Sequence, residues 1–343
     1  MVKSGGFREG TVKMVLLIKN GCVMNPAGGF EGVADVLIGD GKVWKIGKGI
    51  ELEEELAKKG KETEEVVAID AEGKVVAPGL VDVHVHFRDP GFTYKEDILS
   101  GARAAARGGF TTVVLMANTK PPVDCEEILE YVLEKGAGTG IRVESCGNIT
   151  LGMKGKELTD MAGLAEAGAA GFTDDGVPIL DEAVVKSACE EAARLGKPLS
   201  FHEENPAFIK NNGVNAGKAA EYYGIGGSDR RAEIWMVERD LALAEGTGAE
   251  VSIQHISTKE AVELVREAKK TNPHIHAEAT PHHFTLTEEA AITYGALAKM
   301  NPPLREEADR MAIIEGLKDG TIDMIATDHA PHSREEKARP ITE

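Results

Sequence analysis

From Pro78 onward, apolar β runs alternate with helix-length amphipathic segments, and no other feature constrains the fold as tightly. The runs fall at 80–85, 110–117, 141–147, 169–173, 198–202, 250–256, 274–279 and 321–326. Between them lie segments such as "KEDILSGARAAARGG", "LDEAVVKSACEEAARLG" and "TKEAVELVREAKKT". Alternation over this length makes successive strands parallel, with the helices outside. Eight such strands fit an α/β fold of (β/α)8 TIM-like type over 78–343, in which reactive groups gather at the C-terminal strand ends. A doubly wound open sheet needs a Gly-rich phosphate turn after its first strand, and "HVHFRDPG" is not one.

The preceding segment, 14–77, has a different rhythm. Its short β runs are "MVLLIKNGCVM", "VADVLIGDGKVWKIG" and "EVVAIDAEGKVVAPG". The pairs Asn20-Gly21, Asp40-Gly41 and Glu72-Gly73 punctuate them as hairpin turns would. A small β module, drawn as a β-sandwich, is expected here, with a solvated helix or loop in the charged stretch 51–65. Residues 1–13 are polar and glycine-bearing and read as a disordered extension.

The 57 acidic residues outnumber the 39 Lys plus Arg, for a net charge of −18. Such a surface repels nucleic acid and anionic membrane. An anionic substrate must then be drawn in by a few local cations. Cys22, Cys125, Cys146 and Cys189 are scattered, which points to a reducing, cytoplasmic setting and gives neither a disulfide framework nor a thiolate zinc site. No segment has the length of a membrane span, and the N-terminus lacks an apolar signal core.

Polar residues mark the strand ends. His84 and His86 end the first run, two apart and on one face. Asn118 ends the second; Asp174 and Asp175 follow the fourth; His202, His255 and Asp328 end the fifth, sixth and eighth. Singly, a strand-end histidine is more often a rim residue, and a strand-end aspartate a helix cap. Two adjacent imidazoles on one strand face are harder to explain that way, and the joint pattern harder still. Imidazoles and carboxylates without thiolates suit zinc or a similar divalent ion. Four His and two Asp exceed one tetrahedral ion and match two ions sharing a bridging carboxylate and a hydroxide. The chemistry implied is hydrolysis, or its reverse, at an amide-like carbon, with Asp328 moving the proton.

The strings "DVHVHFRDPG" and "ATDHAPHSREEK" closely resemble those of the dihydroorotases, within the amidohydrolase superfamily. "MANTKPP", "GFTDDGVPI", "HISTKEAVELV", "ATPHHFTLTEE" and "KMNPPLR" support the resemblance, which covers the chain from about Met14 onward. It implies a metal-dependent, reversible cyclisation of N-carbamoyl-L-aspartate to L-dihydroorotate in de novo pyrimidine biosynthesis. His84 and His86 would hold the first zinc ion, and His202 and His255 the second, two ions being favoured over one. Many relatives bridge their metals with a carbamylated lysine, but "GFTDDG" has none, which resembles the branch with a bridging aspartate. Asp175 is assigned that place, with Asp174 as a loop or capping residue. Asp328 would be both ligand and general acid/base. Arg88 would fork onto the substrate's unreactive carboxylate, shared with Asn118 and His332, and Asn301 would meet the ring's polar edge. His282 and His329 remain as candidate partners orienting ligands. The resemblance leaves open a homodimer or association with aspartate transcarbamoylase. The alternatives are another cyclic amidohydrolase (hydantoinase or allantoinase) and a non-catalytic dihydroorotase-like scaffold subunit. Little follows the eighth strand run, so the last barrel helix and the strands returning to the β module are expected to be missing from this chain.

Overall fold

The computed structural model describes residues 14–61 and 65–343; the extension expected at 1–13 lies outside them. The chain divides into two compact units, the first ending at Gly79 and the second running Leu80–Glu343.

In the first unit, β1 (Met14–Asn25), β2 (Phe30–Gly39), β3 (Lys42–Gly47), β4 (Glu65–Asp70) and β5 (Val75–Val76) form one sheet. Its order is β3-β2-β1-β4, with β5 also on β1. Among the described residues this is a single sheet and not the two stacked sheets of a sandwich. One face packs Val15, Leu17 and Leu37 against Leu56 of the helix Leu52–Lys59, so a helix covers the side where a second sheet would stack.

Two of the expected hairpin turns have other forms. Asp40-Gly41 does join the antiparallel strands β2 and β3, with both residues at positive φ (51° and 71°), as a two-residue hairpin requires. Asn20-Gly21 instead lies inside β1, where the register on β2 shifts between Ile18 and Gly21. Asn20 takes φ 61°, and a Cβ at Gly21 would meet Val76 Cγ2 at 2.4 Å. The pair is a bulge that lets β5 approach. Glu72-Gly73 turns the chain between β4 and β5, which both run parallel to β1.

The second unit is α/β with parallel strands. β6 (Leu80–Val85), β7 (Phe110–Leu115) and β8 (Arg142–Ser145) form one sheet, and β9 (Leu199–Phe201), β10 (Val251–Ile253), β11 (Ile275–Ala279) and β12 (Met324–Ile325) another. The run expected at 169–173 is no regular strand. Phe172 bridges Gly147 on one side and Leu199 on the other, Ala170, Gly171 and Thr173 exchange backbone hydrogen bonds with Ser145 and Gly147, and a further bridge joins His329 to Val85.

Helices lie between the strands because their sequences carry one apolar stripe and explicit start signals. Ile98–Arg107 opens on Asp97, whose carboxylate accepts from the Ser100 amide while Ser100 Oγ accepts from the Asp97 amide. Glu182–Leu195 opens on Asp181 and Lys259–Lys269 on Thr258. Their buried faces (Ile98 and Ala102; Val185, Ala188, Cys189 and Ala192; Ala261, Val262 and Val265) join one core with Val113, Leu115, Leu199, Val251 and Ile253 of the strands. Burying a side chain of this size contributes roughly 1.5–3 kcal/mol, enough for the strands to hold the loops at their C-terminal ends in place. Among the described residues no helix is long and apolar enough to cross a membrane.

Candidate metal centre

Each of the six predicted donors ends or follows a parallel strand or the Phe172 bridge, His84 within β6 and the others beyond their pairing residues, and the sheets bring them together. His84, His86 and Asp328 offer donor atoms within 4.8 Å of one another, and so do His84, Asp175 and His255. Asp175 stands between the groups. Its Oδ2 is 3.4 Å from His86 Nε2, while its Oδ1 is 3.5 Å from both His84 Nε2 and His202 Nδ1 and 3.8 Å from His255 Nε2. Asp328 Oδ1 lies 3.1 Å from His86 Nε2 and 3.5 Å from His84 Nε2. His202 Nδ1 and His255 Nε2 are 2.9 Å apart. Five of the six residues are buried, and Asp328 is nearly so.

Asp174, next in the chain, faces the other way. Its carboxylate accepts from Asn148 Nδ2, from the amides of Ile149 and Thr150, and from the Thr150 hydroxyl. It ties the loop after β8 to the loop that carries Asp175.

Three site residues occupy left-handed backbone: Arg88 at φ 59°, His255 at 30° and Asp328 at 48°. Such positions cost of order 1–3 kcal/mol each and persist only where the surroundings enforce them. For Arg88 and Asp328 the means are visible. The His86 amide donates to the His329 carbonyl at 2.8 Å and Arg88 Nε to the Pro331 carbonyl at 3.2 Å. Thr327 donates its amide and hydroxyl to the buried Asp82 carboxylate.

Sequence reasoning missed two carboxylates. Glu278, buried in β11, sits 2.9 Å from His84 Nδ1, and Glu204, also buried, 3.1 Å from His202 Nε2. Each fixes its imidazole so that the other ring nitrogen faces the cluster. The available signals were an acid at an inward position of an apolar strand, and "HEE", which puts an acid two residues after His202. Asn118 has partners other than those expected: Oδ1 is 2.9 Å from His86 Nδ1, and Nδ2 donates to the Asp175 carbonyl and carboxylate. His329 pairs with Glu96 at 2.8 Å, and the half-buried His282 lines the cavity beside the cluster. Among the described residues Arg88 makes no ion pair with the adjacent Asp89. Asp89 is buried and accepts from Tyr131 and Lys135.

The cluster carries the electrostatic mark of a cation site. Burial opposes charge on His84, but Glu278, Asp175 and Asp328 outweigh it and raise the imidazole to about 10. Burial likewise opposes charge on His202, and Asp175 and Glu204 raise it to about 10. Burial alone would raise Asp175, yet the histidines around it hold the carboxyl well below its usual range. Without a metal, protons must occupy the centre. His84 Nε2 is buried with no hydrogen-bond partner, and burial pushes the neighbouring Cys146 thiol up to about 12, so it offers no thiolate. The donor set fits divalent ions with nitrogen and oxygen ligands.

A cavity of about 880 Å³ opens over the centre. It is lined by His86, Asp175, His202, His255 and Asp328 together with Arg88, Asn118, Asn301 and His332. All four expected substrate contacts therefore border the same space. His332 Nδ1 is 3.2 Å from Glu336.

Solved structures share this arrangement of strands. L-hydantoinase (dihydropyrimidinase) from Arthrobacter aurescens superposes with a TM-score of 0.75 at 26% identity, over 94% of this chain and 70% of that one. With the buried His/Asp cluster, the fold defines a cyclic amidohydrolase. Sequence narrows the class. Residues 73–261 match the family model described as dihydro-orotase-like. The dihydroorotase of Clostridioides difficile is 55% identical over 325 residues, 95% of this chain and 75% of that protein. That of Clostridium acetobutylicum is 49% identical over 329 residues, 96% and 75%. The chain belongs to the dihydroorotase family, and it spans about three quarters of the length of these relatives.

Proposed function

We propose that this chain interconverts N-carbamoyl-L-aspartate and L-dihydroorotate, as a cytoplasmic zinc enzyme of pyrimidine biosynthesis. The observation that carries the reading is the convergence of six donors from separate strand ends on one buried centre under a cavity that also holds Arg88. In this reading the parallel strands close as a (β/α)8 barrel. The bridges through Phe172 and between His329 and Val85 support that closure.

His84, His86 and Asp328 would hold one ion, His202 and His255 a second, and Asp175 both. Divalent ions held there would supply Lewis-acid polarisation of the amide carbonyl and a water with its pKa lowered to about 7. Asp328 moves the proton between the attacking water and the ring nitrogen as the cyclic amide opens, and returns it on closure. Arg88 grips the carboxylate that does not react, with His332 beside it, and Asn301 meets the ring's polar edge. Asn118, committed to His86 and Asp175, keeps those two groups in register. Fixed orientation is the main contribution of these side chains, since a held near-attack geometry removes much of the entropic barrier. Metal analysis of the purified protein, run alongside a dihydroorotate ring-opening assay, tests the reading. Metal-free protein that turns over at full rate would sink it.

Arg88→Ala should raise KM for L-dihydroorotate by about 10- to 100-fold, the worth of a lost charge-assisted hydrogen-bond pair, and move kcat far less. Arg88→Lys should recover only part of that, because an ammonium lacks the planar fork. Steady-state kinetics decide, and an unchanged KM in Arg88→Ala would remove Arg88 from the substrate site.

Metal uptake should release protons. His84 and His202, raised to about 10, are protonated at neutral pH in the metal-free protein, and each must lose its proton to become a ligand. Apparent zinc affinity should therefore climb from about pH 6 to about pH 8. Competition titrations with a chromophoric chelator measure this, and an affinity flat across that range would contradict it.

A further inference from the structure

In this acidic chain most buried or half-buried cations among the described residues are paired, as in Lys95–Glu336, Arg230–Asp309 and Arg239–Asp240. The cavity holds exceptions. Among the described residues, the half-buried Arg88, Lys299 and Lys337 line it with no carboxylate oxygen within the 4.0 Å of an ion pair. Two of them are neighbours. Lys337 Nζ donates to the carbonyls of Ala296 (3.1 Å) and of Lys299 itself (3.3 Å). Burial, and then the Lys299 charge, lower the Lys337 ammonium from its ordinary value; burial lowers Lys299 too, against the more distant pull of Glu343. The Lys299 stem runs over Gly213, where φ is +73° and a Cβ would come within 2.8 Å of Lys299 Cγ. The fold therefore leaves room for this lysine in particular. The Lys299 charge is near enough to lower the Lys337 ammonium; like charges held in one cavity are destabilising on their own, and an anion that meets both reverses the sign.

We propose that Lys299 and Lys337 form an outer anion-capture pair that favours the doubly charged open-chain substrate over the singly charged ring. The inference rests on the dihydroorotase reading above. Ring closure consumes a carboxylate, so N-carbamoyl-L-aspartate carries two negative charges and L-dihydroorotate one. The remainder of a chain with net charge −18 repels both. Cations recessed in a cavity focus the local field and offset that repulsion, and the attraction scales with ligand charge.

In the ring-opening assay, N-carbamoyl-L-aspartate acts as a competitive product inhibitor. Its inhibition constant reads capture of the dianion, and KM for L-dihydroorotate reads capture of the monoanion. At low ionic strength Lys299→Met should raise the inhibition constant about tenfold and KM only about threefold, the ratio expected when the effect doubles in free energy with ligand charge. Lys299→Arg should hold both near wild-type values. In unmutated protein, added salt should weaken the dianion about twice as steeply, on logarithmic axes, as the monoanion, and this arm needs no variant to fold. Equal factors for the two ligands, or equal salt slopes, overturn the proposal while leaving the catalytic reading intact. Wild-type protein that opens no dihydroorotate overturns the catalytic reading, and this one with it.

Discussion

Asp328→Asn should keep its metal and lose turnover by roughly 100- to 10,000-fold, the range spanned by loss of a positioned general acid/base. Metal retention follows from the donor count. With Asp328 neutral, His84, His86 and Asp175 still surround one position, and His202, His255 and Asp175 the other. Loss of turnover follows because an amide can neither accept the water's proton nor pass it to the departing nitrogen. Asparagine is the cleaner substitution because position 328 has φ 48°. Asparagine tolerates left-handed backbone, whereas alanine there adds roughly 1–2 kcal/mol of strain. Metal content and ring-opening rate, measured on the same preparation, separate the two consequences. Full activity in Asp328→Asn would rule out the proton-transfer role, and loss of metal would show that the carboxylate matters first as a ligand.

The elements legible in the sequence were those whose pattern is long and local. The helix Glu182–Leu195 announces itself by its apolar spacing and the Asp181 cap, and β6 by an apolar run ending in two histidines. The fourth run, "AAGFT", has strand-like apolarity, but it is held as bridges through what Gly147 and Leu199 offer from either side. Asn20-Gly21 carries the same local signal as a hairpin turn. What makes it a bulge is β5, which packs against it from more than fifty positions downstream.

The donors of the centre were legible for a different reason: imidazoles and carboxylates at the ends of apolar strands are costly unless used, so their type and position carry information. Their partners lacked that visibility. Glu278 looks like one more acid among 57 until the fold sets it against His84 Nδ1. Asn118 was recognised, but its hydrogen bonds to His86 and Asp175 depend on rotamers that spacing cannot fix. The left-handed backbone at Arg88 is invisible for a similar reason, because arginine does not favour it. Strain held by surrounding hydrogen bonds leaves no local mark in the sequence.

The adjacent pair Asp174-Asp175 gives the second large expectation, since two identical side chains one position apart should fail in opposite ways. Asp175→Asn removes the one carboxylate that faces both histidine groups. The variant should lose most of its bound metal and at least about a thousandfold in activity, because metal-derived catalysis and the fixed water go together. Asp174→Asn should do the reverse. The Asp174 carboxylate accepts from two backbone amides, a hydroxyl and the Asn148 amide, all buried, and an amide in its place turns one acceptor into a donor facing donors. Unsatisfied buried groups of this kind cost about 1–3 kcal/mol each, so the melting temperature should fall by several degrees while metal per folded molecule stays near wild type. Elemental analysis and thermal denaturation of both variants test the pair together. Metal loss in Asp174→Asn with retention in Asp175→Asn would exchange the two roles and move the bridging carboxylate one residue along the chain.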